Sequence, residues 1–114
     1  MLLIIDDDKT VANMISDACN SIIANIVITK YISLLNVSVE ELNTIKIILT
    51  DYNLDMNYTA EDVREYILEM GINCKIILMS GEIPSDDIIS KYDGVLYKPF
   101  IISDLHNMIN KLKD

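Results

Sequence analysis

Five short apolar runs, each followed by a more polar stretch, set the rhythm of the chain. Residues 2–5, Leu2-Leu3-Ile4-Ile5, are apolar at every position, which fits a strand covered on both faces, as in a parallel sheet. Residues 10–23 switch to a helical period. Val11, Met14, Ile15, Ala18 and Ile22 form one stripe, and Asn13, Ser16, Asp17 and Asn20 face away. Residues 26–32 are β-branched in the main and predict a second strand. Residues 33–43 leave two helix starts open: Ser38 followed by Glu41 resembles a capping box that would begin a short helix at Val39, and a start near Ser33 fits equally. Residues 46–50 predict the third strand.

Thr59 and Asp62 form another box-like start. Ala60, Val63, Ile67 and Met70 give a stripe that ends at Gly71, a residue suited to a helix C-terminus. Residues 74–79 predict the fourth strand, closed by Ser80-Gly81. Pro84 suits a first helical turn, so a short helix is expected from there to about Tyr92, and Asp93-Gly94 turns the chain. Residues 95–97 predict the fifth strand. Ile101, Leu105, Met108, Ile109 and Leu112 then make a last helical stripe. Strand and helix alternate five times with short connections. That order predicts an α/β fold of three layers, a doubly wound five-stranded parallel sheet with helices on both faces.

The length of 114 residues fits one domain over residues 1–114. A hydrophobic fraction of 51% is ample for a packed interior. The net charge of −9 provides no basic patch for phosphate backbones, so no nucleic-acid partner is expected. It suits a basic partner face or a cation held among acids. Cys19 and Cys74 show no metal-ligand spacing and lie in apolar segments; they read as buried free thiols, with a reducing cytoplasm as the setting. No apolar run approaches the ~20 residues of a membrane span, and Met1 leads straight into the first strand without a signal-peptide pattern. That start favours a standalone protein.

Chemistry gathers at the predicted strand ends. Residues 47–50 lead into Asp51, residues 3–5 into Asp6-Asp7-Asp8, and residues 95–97 into Lys98-Pro99; Ser80 ends the fourth strand. In open α/β sheets the carboxyl ends of the strands are where ligands bind. Asp6, Asp7 and Asp51 side by side would repel one another unless a cation sat among them. Hard oxygen ligands in a small group favour Mg²⁺. A carboxylate can also attack phosphorus to give an aspartyl phosphate, with Mg²⁺ and a lysine neutralising the transferring group. A serine hydroxyl can donate a hydrogen bond to a phosphoryl oxygen. Asp8 reads as a helix cap before Thr10, and His106 as a solvent-facing residue without ligand partners.

These motifs, Ile4-Ile5-Asp6-Asp7, Leu49-Thr50-Asp51, Met79-Ser80-Gly81 and Lys98-Pro99-Phe100, give a chain that resembles the receiver domain of bacterial response regulators along essentially its whole length. The resemblance implies a flavodoxin-like (βα)₅ fold and a phosphorylation-dependent switch in two-component signalling. It implies Asp51 as phosphoacceptor, Asp7 as a direct Mg²⁺ ligand, Asp6 as a ligand largely through water, and the Asn53 backbone carbonyl as a further ligand. Lys98 would pair with the phosphoryl group, Ser80 would move to contact it, and the Lys98-Pro99 peptide would be cis. The implied partners are a sensor histidine kinase or histidine phosphotransfer protein as donor and a protein target downstream, in a monomer or weak homodimer. The implied catalysis is of its own phosphorylation and dephosphorylation only.

Three positions depart from the pattern. Val95 stands where the family usually has an aromatic, with Tyr97 two residues on. Asp55 replaces a common proline, and a glycine expected near Thr59 is absent. The stretch from Ser80 to Lys98 is short by about one helical turn. These departures motivate an alternative, a pseudo-receiver that acts as a phosphorylation-independent interaction module. A Mg²⁺-dependent phosphatase is a third reading, disfavoured because Asp51-Tyr52-Asn53 lacks a second acid two residues on.

Overall fold

The strands assemble in the order β2-β1-β3-β4-β5, all parallel, in a computed structural model that describes residues 1–113. Along the chain the elements are β1 (Leu2–Ile5), α1 (Lys9–Cys19), β2 (Ile26–Thr29), α2 (Tyr31–Leu34), α3 (Val39–Leu42), β3 (Ile47–Asp51), α4 (Ala60–Glu69), β4 (Lys75–Ser80), α5 (Asp86–Ile89), β5 (Gly94–Tyr97) and α6 (Ile102–Leu112). The apolar alternation of the central strands sorts the core into two layers. Leu2, Ile4, Ile47, Leu49 and Ile77 meet α1 and α6 through Ala12, Ile15, Leu105 and Ile109. Leu3, Ile5, Ile48 and Leu78 meet α2, α3 and α4 through Leu34, Leu42, Val63 and Ile67. Because strand side chains alternate faces, a strand buried on both sides must be apolar throughout, as β1 is. Among the described residues no helix is long and apolar enough to cross a membrane.

Local chemistry explains most boundaries. The Asp8 side chain accepts from the amides of Thr10 and Val11 and starts α1. The Ser38 hydroxyl accepts from the Glu41 amide and starts α3, and Asp62 reaches back to the Thr59 amide at 2.8 Å to start α4. Gly71, at φ +67°, closes α4: the Ile72 amide returns to the Ile67 carbonyl at 3.1 Å.

Several expected features differ. The second strand ends at Thr29, not at residue 32; Tyr31 to Leu34 turn into a helix because Leu34 is drawn fully into the core. The chain thus has two one-turn helices between β2 and β3. Ser85, whose hydroxyl caps the Ile88 amide, begins α5 in place of Pro84, and that helix ends at Ile89. Met14 and Ile101 lie in solvent rather than in the helical stripes, with Ala12 and Cys19 filling the α1 core positions instead. Cys19 is fully buried, whereas Cys74 is only partly so. His106 is only half-exposed: its ring nitrogen Nε2 bonds the Ala18 carbonyl, tying α6 to α1.

Candidate functional site

The sheet order reverses between β1 and β3, and β2 lies beyond β1, so the carboxyl ends of β1 and β3 flank a switch point. There the sequence places Asp6 and Asp51, and the structure joins them through one cation. The Lys98 Nζ stands 3.1 Å from Asp51 Oδ1 and 3.4 Å from Asp6 Oδ2. The loop after β5 is aimed by its backbone, since the Lys98 amide donates to the Ser80 carbonyl at 2.7 Å. The Lys98-Pro99 peptide is cis. Asp6 is buried, at 4% exposure, and its other oxygen accepts the Asp8 amide at 2.9 Å.

Burial and charge act against each other here. Desolvation pushes the Asp51 carboxyl above its ordinary range; the Lys98 hydrogen bond and charge pull it back, the Asp6 charge adds to the rise, and the Tyr52 amide opposes it. For Lys98, burial disfavours the ammonium, but the hydrogen bonds and charges of Asp51 and Asp6 outweigh it and hold the group above the usual lysine value. Asp7 is raised first by desolvation and then by Asp55, which faces it, with Asp6 and Asp51 contributing.

The structure therefore brings together Asp6, Asp51 and Lys98 directly, with Asp7 beside them. Ser80 and Asn53 join Asp51 in lining an adjoining cavity of about 580 Å³, together with Tyr52, Glu82 and Ile83. The Ser80 hydroxyl is turned towards its own loop. It donates to the Glu82 carbonyl at 2.7 Å and accepts from the Glu82 amide at 3.2 Å. Asp6 and Asp51 turn to Lys98, and among the described residues no three acids are placed to hold a metal ion as they stand. The donor set itself, carboxylates with a backbone carbonyl, suits a hard divalent cation. Burial first, and then the neighbouring acids, lift the Asp7 carboxyl, and a bound cation would offset the second of these.

One participant is absent from the sequence reading. Lys30, at the end of β2, pairs with Asp55 at 4.0 Å and so links a fifth strand end to the site. The expected strand through residue 32 concealed that Lys30 stands at the same sheet edge as Asp6 and Asp51. The loop that carries Asp55 is sharply bent: Met56 and Asn57 both have positive φ, and the loop closes through the Leu54 amide on the Tyr58 carbonyl at 2.8 Å.

Solved structures decide the fold. The signal receiver domain of a proposed LuxO repressor protein from Vibrio parahaemolyticus superimposes with a TM-score of 0.83, covering 98% of this chain and 88% of that one at 18% identity. A response regulator receiver domain protein from Bacillus halodurans gives 0.79 over 99% and 96% at 18% identity. This chain has the fold of response regulator receiver domains. The DrrB receiver domain in its BeF3-activated form gives 0.75 over 97% of this chain and 94% of that one, at 17% identity. In sequence, a proposed transcriptional regulator of Haloferax volcanii is 31% identical over 71 residues, 61% of this chain. The chain spans 12% of that relative's length. No protein-family profile matches the chain.

Proposed function

We propose that this receiver-fold chain is a phosphorylation-dependent switch of two-component signalling, with Asp51 as the phosphoacceptor. The observation that carries this reading is the Lys98 ammonium 3.1 Å from an Asp51 carboxylate oxygen at the mouth of an open cavity. In the proposed transfer, an Asp51 oxygen attacks phosphorus of a phosphohistidine. The new C–O–P linkage forms as the P–N bond breaks, its electron pair stays on the ring nitrogen, and the donor leaves as neutral imidazole when its other nitrogen already carries the proton. Lys98 holds its positive charge beside the acceptor and would follow the phosphoryl oxygens as they arrive. The Ser80 hydroxyl, now spent on Glu82, is the donor that can turn towards a phosphorylated Asp51. Mg²⁺ would be held by Asp6, Asp7, Asp51 and the Asn53 carbonyl, and when bound it supplies charge neutralisation for the transferring group.

The donor would be a sensor histidine kinase or histidine phosphotransfer protein. Exposed Met14, Ile101 and Ile102 surround the approach beside Lys98, Pro99 and Phe100, an apolar surface that suits a docked helical partner. The output would be protein contact. The setting is the cytoplasm, which suits the free thiols Cys19 and Cys74. The catalysis is limited to the chain's own phosphorylation and dephosphorylation.

A second reading, a phosphorylation-independent interaction module, is favoured by the single turn of α5 and by Asp55, an extra acid that lines the same hollow as Asp7. Incubation with acetyl phosphate, with and without Mg²⁺, separates the two by intact mass. A Mg²⁺-dependent gain of one phosphoryl group, absent in Asp51→Asn, is expected for the switch. No gain, together with no binding of BeF3 with Mg²⁺, would establish the second reading.

A further inference from the structure

β2 is an outer strand: among the described residues it pairs with β1 on one side and with no strand on the other. Outer strands are normally blunted by charge, proline or a covering element, because their free amides and carbonyls pair with any strand offered to them. The opposite edge, β5, runs into Lys98-Pro99. The strand Ile26-Val27-Ile28-Thr29 contains neither a charge nor a proline. The single turn of α2 leaves it uncovered: Val27, Ile28, Ile32 and Leu35 are exposed by between 38% and 42%.

Charge says what covers it. The chain carries a net charge of −9, so two copies repel across most of their surfaces. From Ala18 to Val39, however, Lys30 is the single charged residue, while Asp17 and Glu40 bound the span. A basic partner drawn by the acidic surface finds no acid on this strip. The strip is matched by an apolar, nearly neutral strand edge, and β2 is itself such an edge. We propose that two copies of this chain meet here, β2 pairing antiparallel with β2 of the second copy about a two-fold axis at Val27.

The hydrogen-bond parity of β2 narrows that register. The Leu2 amide bonds the Asn25 carbonyl at 2.8 Å, so Asn25, Val27 and Thr29 turn their backbone groups to β1. Ile26 and Ile28 turn theirs outwards. The antiparallel pairing that uses both outward residues opposes Ile26 to the second copy's Ile28 and sets Val27 opposite itself. Lys30 falls opposite Ala24, and the two Lys30 side chains end about 20 Å apart, six residues along paired strands, beyond the range of mutual repulsion. A stable interface takes about 800 Å² from each partner. That is roughly an eighth of this chain's 6500 Å², so the exposed Ile32 and Leu35 must be enclosed along with the strand.

Sedimentation velocity over a concentration series tests the pairing, using the full chain. The wild type is expected to dimerise with concentration, and Val27→Lys to raise the dissociation constant at least about tenfold with an unchanged circular dichroism spectrum. In a Cys74→Ser background, mild oxidation should cross-link Val27→Cys to itself, because residue 27 of one strand faces residue 27 of the other. Thr29→Cys should not cross-link, because it would face Asn25. A wild type that stays monomeric at submillimolar concentration overturns the proposal. So does a dimer that survives Val27→Lys and is lost with Tyr97→Lys on β5. Should Val27→Lys fail to fold, the two cysteine variants decide: equal cross-linking by both, or by neither, overturns the register and the interface.

Discussion

Lys98 Nζ lies within 3.4 Å of Asp6 Oδ2 and 3.1 Å of Asp51 Oδ1, so one ammonium serves two carboxylates of unequal burial. The Asp6 side chain is 2% exposed and that of Asp51 24%. Removing the cation therefore hurts Asp6 more. Lys98→Met leaves a buried carboxylate with only the Asp8 amide as donor, and should cost about 1–3 kcal/mol in urea denaturation. Asp51→Asn should act in the other direction. The folded surroundings raise the Asp51 carboxyl above its ordinary value, so its charge opposes folding at neutral pH. The amide should be neutral or stabilising, by about 0–1 kcal/mol. A Lys98→Met protein as stable as wild type would show that Asp6 is not held by this contact.

The loop over the site stores strain in two adjacent residues. Met56 has φ 60° and ψ 32°, yet its side chain is 73% exposed and packs little. A left-handed conformation costs a non-glycine residue roughly 1–2 kcal/mol, part of which glycine returns as unfolded-state entropy. Met56→Gly should thus raise stability by about 0.5–1 kcal/mol. Asn57, at φ 65°, tolerates the region better, and Asn57→Val should lose stability. Denaturation midpoints of the two variants should fall on opposite sides of wild type.

Alkaline stability tests the buried thiols. Burial pushes Cys19 up to about 11 from an ordinary 9.0; burial, with Asp93, does the same to Cys74. Burial and the Glu61 hydrogen bond also hold the Tyr92 hydroxyl well above its usual value. In each case the folded chain keeps a proton that the unfolded chain gives up. Their contribution is complete below the unfolded value and is lost as pH rises towards the folded one. The urea midpoint should therefore fall between about pH 8 and about pH 10.5, and the fall should shrink in Cys19→Ala. A midpoint that rises over that range would contradict the burial of these groups.

Where the pattern was legible, one local rule governed it. Strands β1, β3 and β4 are buried at nearly every position and carry unbroken apolar runs because both faces are covered, and no other period competes. The Thr59–Asp62 and Ser38–Glu41 starts were readable because a capping contact spans only three residues. The end of β2 was not. Tyr31 and Ile32 favour a strand locally, and only the burial of Leu34 against the distant α4 layer bends the chain into α2. The site divides in the same way. Asp6, Asp51, Ser80 and Lys98 announce themselves as strand ends, whereas the Asp7–Asp55 approach and the Lys30–Asp55 pair depend on how a six-residue loop folds back. The His106 contact has no local signal, because its partner, the Ala18 carbonyl, sits on another helix.

Ser80 offers the last test, because its hydroxyl has a structural partner now and a different one under the proposed switch. It exchanges two hydrogen bonds with Glu82 and so holds the turn that roofs the cavity beside Asp51. Ser80→Ala should cost about 1 kcal/mol, since both bonds are local and only part-buried. Phosphorylation should still reach Asp51, because Ser80 donates nothing to that carboxylate at rest. In an amide spectrum, adding BeF3 with Mg²⁺ should shift Gly81 and Glu82 strongly in wild type as the hydroxyl leaves the Glu82 carbonyl. The same resonances should respond weakly in Ser80→Ala, while those of Asp51 and Tyr52 respond in both. Equal shifts at Glu82 in both proteins would mean that the turn moves without the hydroxyl, and that Ser80 is a structural residue of the loop.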